Sequence, residues 1–178
     1  WMMPALDGVI EAPALRPDGT VIEQAGYDAA TSLMYQPAVN LAVPAVPRKP
    51  TPAHVEQAIG LIEDTIGEFP YASDASKANA WGLLLTPILR PAINGCVPLC
   101  LLDKPQAGTG ASRFAEVVAL LTTGRPASMM GAPKSEEEWR KQITSVLLDG
   151  SALIIIDNVG EELASSNLDR ALSAQVWR

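Results

Sequence analysis

Two short apolar runs, Val97–Leu102 (VPLCLL) and Ala152–Ile156 (ALIII), are separated by helix-patterned stretches, and this order constrains the fold more than any other feature. ALIII is branched and continuous, as expected of a parallel strand covered on both faces. Between the runs, Phe114, Val117, Val118 and Leu121 mark one face of a helix ending near Gly124. Ser135-Glu136-Glu137-Glu138 is a capping-box pattern that opens a second helix to about Leu148. The intervening Pro126–Lys134 is ambiguous, with room for a short strand at Ala127–Met130. Strands alternating with helices imply an α/β core, a parallel sheet flanked by helices with right-handed crossovers.

Upstream, the β-prone runs Val9–Leu15 and Thr20–Gln24 flank Arg16-Pro17-Asp18-Gly19, whose Pro and Asp-Gly chemistry favours a tight hairpin reversal. Tyr27-Asp28 then reads as a turn following the hairpin, with a binding loop as the alternative. Pro44–Pro52 (PAVPRKPTP) holds four prolines in nine residues, a stiff, extended linker. Thr51-Pro52 supplies a helix cap and a first-turn proline, with His54 a solvated first-turn residue. Val55, Ile59, Ile62 and Ile66 form an amphipathic stripe. A further helix starts near Asp74 and runs through Trp81, Leu84, Leu85 and Ile88, perturbed by Pro87 and Pro91 and terminated at Asn94-Gly95. Arg90 is placed to cap carbonyls at that helix end; contact with a nucleotide or a neighbouring subunit is the alternative. Trp81 and Trp139 fit core or half-buried stripes. The chain thus divides into an N-terminal β-hairpin-containing flanking element (residues 1–43), a proline-rich linker (44–52), a helical segment leading into the core (53–95) and a truncated core (96–178).

Bulk properties exclude several classes. Apolar content of 48% and charged content of 19% describe a globular chain. A net charge of −7 argues against a protein that coats nucleic acid everywhere, because non-specific binding comes from dense Lys/Arg contacts to phosphate. No basic stretch leading into an apolar core follows Trp1-Met2-Met3, and no apolar run reaches the roughly 18–20 residues that span a bilayer. Cys96, just before the VPLCLL run, and Cys100 within it lie four apart on one expected strand, too far to bridge, and packing is their expected role. With His54 they make no credible set for a structural metal, and a reducing, cytoplasmic setting fits. Trp1 is not a natural start, and the chain stops at Arg178 within the helical pattern ALSAQVWR, so a fragment of a longer protein is expected.

The chemistry concentrates after VPLCLL, in DKPQAGTGASRFAE (Asp103–Glu116). A phosphate-binding loop works because successive backbone N–H groups and a helix N-terminus surround the anion, a lysine adds charge, and a Ser/Thr hydroxyl helps hold Mg²⁺. Gly108-Thr109-Gly110-Ala111-Ser112 matches GTGK[ST] at four of five positions, and Pro105 stands where GxxxxGK[ST] has its leading glycine. Ala111 replaces the lysine. Arg113, two positions later, is expected to point away from the loop. By position Pro105, Ala107, Gly108, Thr109, Gly110, Ala111, Ser112 and Arg113 form the candidate nucleotide site. Leu153–Asp157 (LIIID) has the form of an apolar strand ending in an acid that orients Mg²⁺, 45 positions after Ser112.

GYDAATSLMY (Gly26–Tyr35), TPILRPAINGCVPL (Thr86–Leu99), PQAGTGAS and IIIDNV (Ile154–Val159) together resemble the ATPase region of phage- and plasmid-type replication proteins. These are primase-associated, helicase-like P-loop proteins of the AAA+ and superfamily 3 sphere. The resemblance implies ATP-dependent work on DNA by a homo-oligomer, with ATP and Mg²⁺ as cofactors. It assigns Gly108, Thr109 and Gly110 to the phosphates, Ser112 and Asp157 to Mg²⁺, and the catalytic position beside Asp157 to Asn158. Many such ATPases have a glutamate there, and Asn cannot accept a proton. Losing the lysine removes a main stabiliser of charge in phosphoryl transfer, by analogy worth roughly 3–4 kcal/mol. Impaired hydrolysis follows. The alternative is a non-catalytic degenerate P-loop module kept for assembly or partner binding, and a third reading is a small α/β domain with an ordinary glycine turn.

Overall fold

The computed structural model describes residues 3–39, 41–104, 106, 108–160, 162–174 and 176–177. Its N-terminal strands are β1 (Gly8–Ile10), β2 (Ala14–Leu15), β3 (Val21–Ile22), β4 (Gly26–Asp28) and β5 (Leu33–Tyr35). The expected reversal is present. β2 and β3 pair antiparallel around Gly19, whose φ of 82° needs a residue without Cβ strain, and the Arg16 N–H donates to the Thr20 carbonyl at 2.7 Å. The run Val9–Leu15, however, is not one strand. It breaks before β2 at Pro13, which has no N–H for a ladder, and β1 instead pairs parallel with β5. Tyr27-Asp28 is likewise strand and not turn: β4 pairs antiparallel with β5, making β5 the centre of a three-stranded sheet. Arg16 fastens hairpin to sheet, its Nε donating to Asp28 Oδ1 at 2.8 Å and its Nη1 to the Val21 carbonyl at 2.9 Å.

The helices begin where their caps dictate. Thr51 Oγ1 accepts the His54 N–H, and His54 Nδ1 accepts the Thr51 N–H in return, opening α1 (Pro52–Ile66). Along its stripe only Ile66 is fully buried, while Val55 and Ile59 on the earlier turns stay exposed. Ser73 caps α2 (Asp74–Leu89), which contains Pro87 and tightens into a 3-10 turn at Arg90–Ala92. Glu63 of α1 accepts hydrogen bonds from Lys77 and from Trp81 Nε1, locking the two helices together. α3 (Ala111–Thr123) lays Phe114 and Val118 into a core with Ile66, Ala80 and Leu84. The Phe69 and Tyr71 rings meet Phe114 edge-on, with centroids at 4.9 and 6.2 Å. At the far end of α3, Gly124 adopts a φ of 78°, and Arg125 reaches Glu11 of the N-terminal unit at 3.7 Å.

The ambiguous segment does hold a strand, β6 (Ser128–Gly131), which pairs parallel with β7 (Ile154–Asp157), Gly131 lying opposite Asp157. The crossover is α4 (Glu136–Leu148), capped by Ser135 Oγ accepting the Glu138 N–H. Trp139 and Ile143 form a second core with Leu168 of α5 (Ser166–Ser173). Glu136 ties the two helix starts by accepting from the Ser166 N–H and hydroxyl and from the Asn167 N–H and side-chain amide.

Four further expectations fail. Val97–Leu102 is not a strand: among the described residues it pairs with no other segment, and Leu99, Leu101 and Leu102 are exposed. Pro98 withdraws one donor, and among the described residues no strand pairs beside it. Cys96 and Cys100 are therefore exposed and not packed. ALIII begins its pairing only at Ile154, with Leu153, Ile155 and Ile156 half-buried and Ala152 and Ile154 exposed, since a two-stranded sheet covers neither edge fully. The helical pattern ALSAQVWR ends at Ser173; Ala174 is extended, and Trp177 folds back to donate to Thr144 Oγ1 at 2.9 Å. The result is a mixed α/β chain with five helices, small sheets and three separate cores among the described residues. Its accessible surface of 12414 Å² exceeds the roughly 8300 Å² expected for a compact monomer of 18.8 kDa, which matches the number of exposed apolar side chains.

Candidate functional site

Two chain features converge on one cleft. The first is the start of α3. Gly108 and Gly110 adopt φ of 85° and 91°, left-handed values that suit glycine, so the turn's backbone and not its free space explains these residues. An added Cβ would meet nothing at Gly108 and only Phe69 Cε1, at 3.7 Å, at Gly110. Thr109 Oγ1 donates to the Gln106 carbonyl at 3.3 Å. Gly110 is the N-cap and has no side chain to offer. The first helical bond runs from the Phe114 N–H to the Gly110 carbonyl at 2.8 Å. The N–H groups of Ala111, Ser112 and Arg113 are therefore left without intrahelical acceptors, where the helix dipole favours an anion.

The second feature is the end of β7. Asp157 is half-buried and its Oδ1 accepts the Asn158 N–H at 2.8 Å. Asn158 sits at φ 54°, a left-handed conformation that Asn tolerates better than most residues and that turns the chain sharply off the strand.

A cleft of about 770 Å³ is lined by Ala111 and Ser112 at the start of α3, by Asp157 and Asn158 at the end of β7, and by Arg90 and Lys104. Its walls are apolar, supplied by the run Val97–Leu102 and by Leu153–Ile156. The cleft lies between the unpaired run and β7. The structure thus brings together four of the residues expected from sequence: Ala111, Ser112, Asp157 and Asn158. Gly108, Thr109 and Gly110 shape the turn but do not line the cleft. Arg113 points away as expected, 77% exposed and 4.0 Å from Glu116. Pro105 and Ala107 lie outside the described residues.

Arg90 does cap a carbonyl, donating from Nη1 to the Ile93 oxygen at 3.0 Å, while also lining the cleft. Lys104 escaped the sequence reading altogether. The available signal was a cation placed between the apolar run and the glycine turn, where the chain must leave the cleft wall.

The donor set fits a phosphate with a bound Mg²⁺. Unpaired N–H groups suit the anion, and the Ser112 hydroxyl and Asp157 carboxylate are hard oxygen ligands of the kind Mg²⁺ shares with phosphates. A protein-only metal cage is a different matter: among the described residues no group of three His, Cys, Asp or Glu side chains is placed to hold an ion. Among those residues, too, no helix is long and apolar enough to cross a membrane. Comparison with protein families, curated proteins and solved structures finds no match.

Proposed function

We propose that this chain is the nucleotide-binding portion of a phage- or plasmid-type DNA replication ATPase, helicase-like in kind, that holds ATP with Mg²⁺ and hydrolyses it poorly. One observation carries the nucleotide reading. The uncapped start of α3 and the acid ending β7, 45 positions apart in sequence between Ser112 and Asp157, line the same cleft. The replication assignment rests on the resemblance of GYDAATSLMY, TPILRPAINGCVPL, PQAGTGAS and IIIDNV to that family, and DNA and further copies of the chain are the partners it implies.

In this reading the first-turn N–H groups of α3 bind phosphate oxygens, and Ser112 and Asp157 hold Mg²⁺, which neutralises phosphate charge when bound. Hydrolysis has little support from the residues. Ala111 brings no charge to the transferring group, and Asn158 orients a water without accepting its proton. The absent VPLCLL pairing favours the second reading to the same extent: a P-loop module retained for assembly, since a loop hung from an unpaired segment is less rigidly placed for chemistry than one anchored in a sheet.

The test is equilibrium binding of a fluorescent ATP analogue with Mg²⁺, alongside phosphate release. Micromolar, Mg²⁺-dependent binding without turnover supports the proposal. Turnover abolished by Asp157→Ala shows an active enzyme instead. No binding, even by Ala111→Lys, refutes any nucleotide role.

A further inference from the structure

The site described above lacks the lysine of its motif, and the cleft contains two other cations. Resting on the nucleotide reading, we infer that Lys104 and Arg90 supply to the bound phosphates the positive charge that Ala111 does not. Lys104 follows the apolar run that walls the cleft, and Arg90 opens the 3-10 turn at the end of α2; both line the same cleft as Ala111, Ser112 and Asp157.

Their hydrogen bonding leaves them available. Arg16, Lys77, Arg113, Arg125 and Lys141 each pair with an acid, whereas neither Arg90 nor Lys104 is in an ion pair among the described residues. Arg90 uses one N–H on the Ile93 carbonyl, leaving the rest of a five-donor fork that matches phosphate geometry. The neighbouring acids are already engaged with backbone: Asp103 Oδ1 accepts the Lys104 N–H at 2.8 Å, and Asp157 Oδ1 accepts the Asn158 N–H at 2.8 Å. The other cation near the loop, Arg113, is exposed and off the cleft.

Charge balance gives the deciding argument. Arg90, Lys104, Asp103 and Asp157 are the charged residues of the lining, so the cleft is formally neutral in a chain of net charge −7. With Mg²⁺ held at Asp157, that carboxylate and part of the triphosphate's charge are offset, but without the two cations the remaining phosphate charge and Asp103 would be opposed only by the roughly half charge at the α3 N-terminus. The net attraction would then be weak. With both cations, the carboxylates are offset and the helix start adds a net pull on the anion.

The experiment titrates a fluorescent ATP analogue with Mg²⁺ into the full chain and its variants. Lys104→Ala and Arg90→Ala should each weaken binding about tenfold, the loss expected for one charge-assisted contact. In an Ala111→Lys background the cost of Lys104→Ala should fall to about twofold, because the restored lysine meets the same phosphates. Arg140→Ala, an exposed cation of α4 outside the cleft, serves as control and should leave binding unchanged. Far-UV circular dichroism establishes that each variant is folded. Binding by the parent chain that survives both Lys104→Ala and Arg90→Ala within twofold overturns the inference while leaving the nucleotide reading intact. No binding by the parent or by Ala111→Lys overturns both.

Discussion

Phe114→Ala should destabilise the chain by about 3 kcal/mol, the low end of the range for removing a buried aromatic ring. Phe114 is only 4% exposed and is the single ring that Phe69 and Tyr71 both meet edge-on, at 4.9 and 6.2 Å. Truncation removes the packing of α3 on Ile66 and Leu84 together with both aromatic edges, each worth about 0.5–1.5 kcal/mol. Phe69 and Tyr71 are themselves half-buried and can relax into the space, which keeps the cost near the lower bound. Urea unfolding followed by Trp fluorescence measures it. With a slope of about 2 kcal/mol/M, the midpoint should fall by about 1.5 M at unchanged slope. Leu121→Ala is the informative partner: the sequence stripe places Leu121 on the packed face, but it is 47% exposed and should cost less than about 0.5 kcal/mol. Equal costs for the two substitutions would refute this packing of α3.

Gly124→Ala should destabilise by about 1–3 kcal/mol in the same assay, because φ is 78° and the new Cβ would lie 3.1 Å from the Glu11 carbonyl oxygen. Asp28→Ala, which leaves the Arg16 guanidinium without its carboxylate, should cost about 1–2 kcal/mol and loosen the β4–β5 pairing, read as faster amide exchange at Leu33, opposite Asp28. At Glu136, desolvation pushes the carboxyl's pKa up, but hydrogen bonds led by the Ser166 hydroxyl and the Asn167 N–H outweigh it and hold the group below its ordinary 4.5. Its folded pKa being depressed, the tie between α4 and α5 is fully present above about pH 4.5 and is lost as pH falls through the folded value. Amide exchange in α5 should accelerate across that acid window, and Glu136→Gln should flatten the response.

Legibility in the sequence followed the range of the interaction. Thr51, Ser135 and Gly124 act within one helical turn, so those helix ends were readable from local chemistry, whereas α2 closes at Leu89 and its 3-10 turn at Ala92, short of the expected stop at Asn94-Gly95. The Asp18-Gly19 reversal was readable for the same reason. The parallel pairing of β1 with β5 was not, because nothing in either segment specifies a partner some two dozen residues away. Val97–Leu102 misled in the opposite direction: a continuous apolar run signals a covered strand, but covering requires neighbours that the pattern itself cannot provide. At the cleft, the glycine turn and Asp157 were legible as motif residues. Lys104 and the cleft role of Arg90 depend on where the chain passes in space, and motif spacing is blind to that.

The most direct test of the account is the affinity of this chain for a fluorescent ATP analogue in Mg²⁺, compared with Asp157→Ala. Micromolar, Mg²⁺-dependent binding that Asp157→Ala weakens about tenfold or more is the predicted result, since the acid at the end of β7 holds the ion that accompanies the phosphates. Binding of equal strength in both proteins, or in neither, would contradict it.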